Sequence, residues 1–150
     1  MTPFVAAGAG FLLAVLWFDL MFDVQVRAHR DGELPEEVRA SIAGYYRRVT
    51  TGARPMNRLI AAVMVGTLAA IVAQLARGDA PAWAAWASLA LAAAAIGLAG
   101  AHTVPAAVRL GRRDASPRVE SRLARAIGRD HVLSLAAIAA LLVVQLGFAR

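Results

Sequence analysis

Hydrophobic positions along this chain fall in four long blocks, at residues 4–26, 59–75, 82–101 and 132–148, with polar stretches between them. Inside each block the apolar residues run almost without interruption instead of forming the stripe of a soluble amphipathic helix. A bilayer-crossing helix needs about 20 mainly apolar residues, with a range of about 17–25. Each block therefore predicts one membrane span, and the short second and fourth are expected to stand nearly upright. Only residues 76–81 join the second span to the third, and so short a connection forces antiparallel neighbours. The expected fold is all-α: a four-helix transmembrane bundle running up-down-up-down, a single integral membrane domain over residues 1–150.

The polar stretches carry patterns of their own. Leu34-Pro35-Glu36-Glu37-Val38 reads as a helix start, with proline near the first turn and acids over the positive end of the helix dipole. Val38, Ile42, Tyr45, Tyr46 and Val49 then recur at helical spacing beside Arg39, Arg47 and Arg48. This predicts a short amphipathic helix lying on the inner membrane surface. In the second long stretch, Arg122, Arg125 and Arg129 are spaced by three and four, and would give a helix over residues 119–127 one basic face suited to anionic head groups. In the third span the small residues Ala92 to Ala95, Gly97, Ala99, Gly100 and Ala101 are expected to let helices approach closely.

Composition agrees with a membrane protein. The chain is 59% hydrophobic and only 17% charged, with mean hydropathy +0.58, against roughly 45–50% apolar and about 25% charged in soluble domains. All sixteen basic residues are arginine. A net charge of +6 would point to nucleic acid in a soluble protein, but fourteen arginines lie in the two long connections and only Arg77 and Arg150 outside them. That asymmetry predicts cytoplasmic long loops and outward-facing termini, N-out and C-out. Trp83 and Trp86 would then open the third span at the outer interface. The expected surroundings are anionic lipid head groups at the arginine-rich face, not nucleic acid, in a cell membrane of bacterial inner-membrane type. The N-terminus has no basic segment and no Ala-x-Ala site before Asp19, so a cleaved signal peptide is not expected.

Candidate chemistry gathers at one depth. Asp19 and Asp23 sit one turn apart on one helix face, and a charge at a membrane centre costs about 2.5–3.5 kcal/mol unless paired, protonated or used. Asn57 starts the second span, His102 closes the third and His131 opens the fourth. Thr67, Gln74, Ser88 and Gln145 fall singly along the other halves. Asp19, Asp23, His102 and His131 are thus candidates for acid–base chemistry, and their oxygen and imidazole donors suit iron, manganese or zinc. Tyr45, Tyr46, Asn57 and Arg109 are candidates to bind or orient a ligand. The structural alternative pairs Asp23 with Arg58 or Arg109. With no cysteine and no nucleotide motif, neither an iron–sulfur cluster nor a nucleotide is expected; with so few histidines, no haem is either. A site for a small apolar or aromatic molecule competes with a non-catalytic accessory role in a homo-oligomer or larger membrane complex. A proton-coupled transporter fits worst, since four short spans show no inverted repeat or broken helix.

His102-Thr103-Val104-Pro105 with Arg109-Leu110, and Ile127-Gly128-Arg129-Asp130-His131 opening the last span, resemble motifs of the anthrone-oxygenase-like family of small four-helix membrane proteins. In that comparison His131 matches the family's histidine, whereas Ile127 and Ser134 stand in place of its tryptophan and arginine. The resemblance implies oxidation of an aromatic substrate at the membrane.

Overall fold

The structure, a computed structural model, describes residues 1–29 and 31–149. Arg30 and Arg150, two of the arginines weighed for orientation, lie outside the described residues. The protein is all-α, with four helices long and apolar enough to span a membrane. Helix α1 (Thr2–Asp23) starts with a proline in its first turn and tightens into a 3₁₀ segment, Val24–Ala28. The short helix α2 (Glu36–Arg47) precedes α3 (Arg54–Arg77), and α4 (Ala82–Leu98) and α5 (Val104–Arg112) are joined through a wide π-type turn, Ala99–Thr103. The last helix, α6, covers Pro117–Phe148.

Chain punctuation sets these limits. Gly78, at φ +66°, adopts the left-handed conformation that closes α3, and Pro81 precedes α4, the ordinary signals of helix stop and start. In the bundle α1 lies between α3 and α6, and α4 lies opposite it between the same two helices. Both chain ends meet at one end of the bundle. The Thr2 hydroxyl donates to the Ala149 carbonyl at 2.6 Å, and the Met1 amine is 3.7 Å from Asp79 in the α3–α4 turn. The up-down-up-down arrangement follows directly.

The spans are longer than the hydropathy blocks. At 1.5 Å per residue, the 32 residues of α6 reach about 48 Å, well beyond a hydrocarbon core of about 30 Å. Residues 119–127 are therefore not a separate surface helix but the opening turns of α6, and α5 prolongs α4 past the apolar block. These extensions, with α2, enclose a second core outside the span region: Leu34, Ile42, Ala43, Tyr46, Ala107, Leu110 and Ile127 are all buried there. The apolar face of α2 is thus spent on protein, not on the membrane surface. Gly111 makes the contact possible, since a Cβ there would sit 3.0 Å from the Arg47 backbone.

Polar staples hold this cap. Arg39, buried, donates to Glu120 at 3.0 Å, to Glu36 at 2.6 Å and to the Leu34 carbonyl at 3.1 Å. Arg113 also pairs with Glu36. Arg125 donates to the carbonyls of His29 and Gly32. Arg125 is therefore committed to the loop, and the expected basic face reduces to the exposed Arg122 and Arg129.

The membrane core proper is Val5, Ala9, Leu12, Ile71, Ala92, Ala95, Ile138 and Leu141. Of the small residues in the third span, Ala92 and Ala95 pack inside, while Ala93, Ala94, Gly97, Gly100 and Ala101 are exposed. A close approach in the span region instead involves α1 and α3, where a Cβ on Gly8 would strike the Thr67 hydroxyl. The polar residues of the terminal half are not scattered either. Gln74 and Gln145 exchange amide hydrogen bonds at 3.1 and 3.3 Å, and Gln145 also donates to Ser88 at 2.8 Å. Gln74 donates to Thr2 at 3.1 Å. All four spans contribute to this cluster, and they must bury its groups in company because lipid offers no partner.

Three stability experiments follow. Glu120→Ala strips a buried arginine of its most enclosed partner and should cost about 3 kcal/mol in reversible unfolding in detergent, the usual penalty for breaking a buried pair from one side. Gln145→Leu should cost only about 0.6–1.7 kcal/mol, because interhelical hydrogen bonds in membranes are individually modest. Gly8→Ala should destabilise by about 1–3 kcal/mol through overpacking, and adding Thr67→Ala should recover most of that loss in the same assay.

Candidate functional site

The site begins with the spacing of two carboxylates. Asp19 and Asp23 share one face of α1, and two consecutive tyrosines of α2 reach them separately, since neighbours on a helix point about 100° apart. Tyr45 donates to Asp19 Oδ1 and Tyr46 donates to Asp23 Oδ1, each at 2.6 Å. Phe22 stacks on the Tyr45 ring with centroids 3.9 Å apart and fixes its direction. His131, from α6, completes the group: its Nδ1 is 2.6 Å from Asp23 Oδ2 and its Nε2 is 3.8 Å from Asp19 Oδ2. Glycine at position 128 lets α6 come close, because a side chain there would already touch Asp23 Cβ at 3.4 Å.

The two carboxylates differ in enclosure. Asp19 lies further along the span from the arginine-rich end, yet its side chain is 16% exposed and that of Asp23 only 2%. Asp23 is sealed behind Tyr46 and His131. Asp19 opens into a cavity of about 570 Å³ that Asp23 does not line. The cavity walls are apolar, with Phe11, Leu16, Ile60, Met64, Ile96 and Ile138 among them. Its polar end is made by Asp19, Tyr45, Tyr46, Asn57, Thr103, His131 and Ser134. An apolar chamber with a few convergent polar groups is the general form of a small-molecule site.

Local backbone irregularity shapes the chamber. The π-type turns Arg48–Gly52 and Ala99–Thr103 both contribute to its rim, as such turns often do at functional positions. Asn57 donates to the Thr50 carbonyl at 2.7 Å and so ties the first of these turns to α3.

Of the residues singled out in the sequence, Asp19, Asp23, His131, Tyr45, Tyr46 and Asn57 come together. His102 and Arg109 do not. His102 pairs instead with Asp130, whose carboxylate also accepts from Thr103 at 3.3 Å. Arg109 is exposed, as is Arg58, and Asp23 takes neither as its partner. The four-residue donor set Asp19, Asp23, His102 and His131 is therefore divided between two places. Among the described residues no three His, Asp or Glu side chains gather to hold a metal ion.

Three groups named within the sequence motifs carry no expected site role there: Asp130, Thr103 and Ser134. Ser134 follows His131 by three residues, which places both on one helix face, and that signal was available. Asp130 gave none, since its role depends on which neighbour α4 turns toward it.

Both tyrosine hydroxyls are held as donors. Burial and the hydrogen-bonded Asp19 push Tyr45 above the ordinary phenol range, and burial and Asp23 do the same to Tyr46. These are the only tyrosines in the chain, so a phenolate absorbance titration reads them without background. No phenolate should form in the folded protein near the ordinary value of about 10. Because the folded state keeps protons that the unfolded chain releases, stability should be fully present below about pH 10 and fall as pH rises above it. Asp19→Asn should move the Tyr45 transition down toward its ordinary value and leave that of Tyr46 higher.

Comparison with protein-family models, with curated proteins and with solved structures finds no match to this chain.

Proposed function

We propose that this multi-pass membrane protein binds a small apolar, aromatic molecule bearing a weakly acidic hydroxyl, and that His131 exchanges the proton. One observation carries the reading: His131 is held by Asp23 through Nδ1 while Nε2 faces Asp19 at the polar end of an apolar cavity. In the neutral tautomer that donates Nδ1–H to Asp23, Nε2 carries the lone pair and can accept a proton. A carboxylate that fixes the tautomer and steadies the imidazolium is the usual support for a histidine base. Tyr45 and Tyr46, their protons committed to Asp19 and Asp23, hold the two carboxylates in place around the ring, and Asn57 fixes the adjoining turn.

Access fits a lipid-soluble ligand. Helices α1 and α3 touch at Gly8 and Thr67 and leave the cavity between them toward Phe18 and Met56, both exposed on the lipid-facing surface. The arginine bias supports a cytoplasmic orientation for this end of the bundle. The resemblance to the anthrone-oxygenase-like proteins supports an aromatic ligand, whose hydroxyl proton would pass to His131 and leave the oxyanion. A second reading, a subunit of a larger membrane complex or homo-oligomer, draws on the exposed Ala93, Ala94, Gly97 and Ala101 face of the third span.

A naphthol, whose fluorescence separates hydroxyl from oxyanion, tests the first reading. Purified protein should bind it saturably, and Ala95→Leu, which fills the cavity wall, should weaken binding while the protein stays folded. His131→Gln should keep binding but lose the oxyanion emission. Its rate of proton exchange with the bound naphthol should fall by about 10²-fold or more, the usual worth of a positioned base. Oxyanion emission unchanged in His131→Gln would sink the proton-transfer role; no saturable binding would favour the complex subunit.

A further inference from the structure

A second concavity, of about 530 Å³, lies on the outside of the bundle between α1 and α6 and has no part in the cavity above. Its walls are Trp17, Met21, Val24, Val132 and Leu135, and its polar end holds Arg27 and Arg129. We propose that this groove binds one anionic phospholipid, with the phosphate between the two guanidinium groups and an acyl chain along Trp17 and Met21.

The arginine pair is a product of the helix crossing. The helices α1 and α6 close on each other at Asp23 and Gly128. Arg27 follows Asp23 by one turn and Arg129 follows Gly128 by one residue, so the crossing brings both to the same end of the groove. Between them the two charges meet one carboxylate, at the long distance of 3.7 Å and shared with other groups. Asp23, in the groove floor, is consumed by Tyr46 and His131. The nearest carboxylate to Arg129 is Asp130 at 3.7 Å, already engaged by His102 and Thr103. Among the described residues no carboxylate lies within ion-pair distance of Arg27, and both arginines are exposed.

Guanidinium groups match phosphate oxygens in geometry and charge, and basic pockets between spans on the arginine-rich side are suited to anionic head groups. A free anion would leave the rest of the groove unexplained. Trp17 and Met21 are 63% and 58% exposed at its wall, and these are surfaces that hydrocarbon covers. The occupant that satisfies both ends is a phospholipid with a net negative head.

Trp17 reports occupancy once Trp83→Phe and Trp86→Phe remove the other indoles. In nanodiscs of phosphatidylcholine doped with a little brominated-acyl phosphatidylglycerol, Trp17 should be quenched more than by the same dose of brominated phosphatidylcholine. The expected preference is about tenfold or more for two arginines at an anionic head. Arg27→Gln and Arg129→Gln should each reduce it about threefold and together abolish it, while Arg112→Gln, exposed on the same charged end, should leave it unchanged. Equal quenching by the two lipids would overturn the proposal. So would loss of preference in Arg112→Gln, which would mean a diffuse basic surface, or displacement by inorganic phosphate as readily as by unlabelled phosphatidylglycerol. Trp17 shielded from both lipids would also overturn it and indicate a protein partner in the groove.

Discussion

Every polar group that this bundle carries below the head-group level must find its partner inside the protein, because hydrocarbon supplies none. Asp19 and Asp23 make that demand most severely. They are answered from outside the four spans, by two tyrosines of a helix that need not have been part of the bundle, and from the last span by His131. The position of α2, the depth of α6 and the close approach at Gly128 all follow from meeting those carboxylates.

The cap that delivers the tyrosines is itself a small folded unit. Leu34, Ile42, Tyr46, Leu110 and Ile127 bury one another there, as in a soluble domain. The Arg39–Glu120 pair beneath them is fully committed, with further bonds to Glu36 and Leu34. A buried pair of this kind adds little net stability relative to apolar packing, but removing one partner is costly. It therefore acts chiefly to fix the register of α2 on α6, and through it the reach of Tyr45 and Tyr46.

Enclosure divides the work of the two acids. Asp23 is almost fully enclosed and holds a histidine through Nδ1; Asp19 stands at a cavity wall, 3.8 Å from Nε2 of the same ring. The opposite end of the bundle shows the contrast. There Gln74, Gln145, Ser88 and Thr2 satisfy one another with neutral bonds, and none of them lines the cavity at Asp19. One polar cluster closes the bundle; the other is left facing space.

The number of spans, their alternation and the all-α class were legible in the sequence, because continuous apolar length is a local property that lipid reads directly. So was the helix at Glu36, from its proline, its acids and its apolar spacing. The i, i+4 spacing also showed that Asp19 and Asp23 would share a face. Tertiary structure alone decided which partners each group took. Local sequence placed His102 and His131 at one depth, yet the rotation of α4 through its π-type turn aims His102 at Asp130 and away from the carboxylates of α1. It put α2 on protein instead of membrane, since an apolar helix face does not reveal which apolar surface will cover it. It also joined Gln74 to Gln145, because residues seventy positions apart meet only when helices are packed, and no pattern along one helix encodes its neighbour's azimuth.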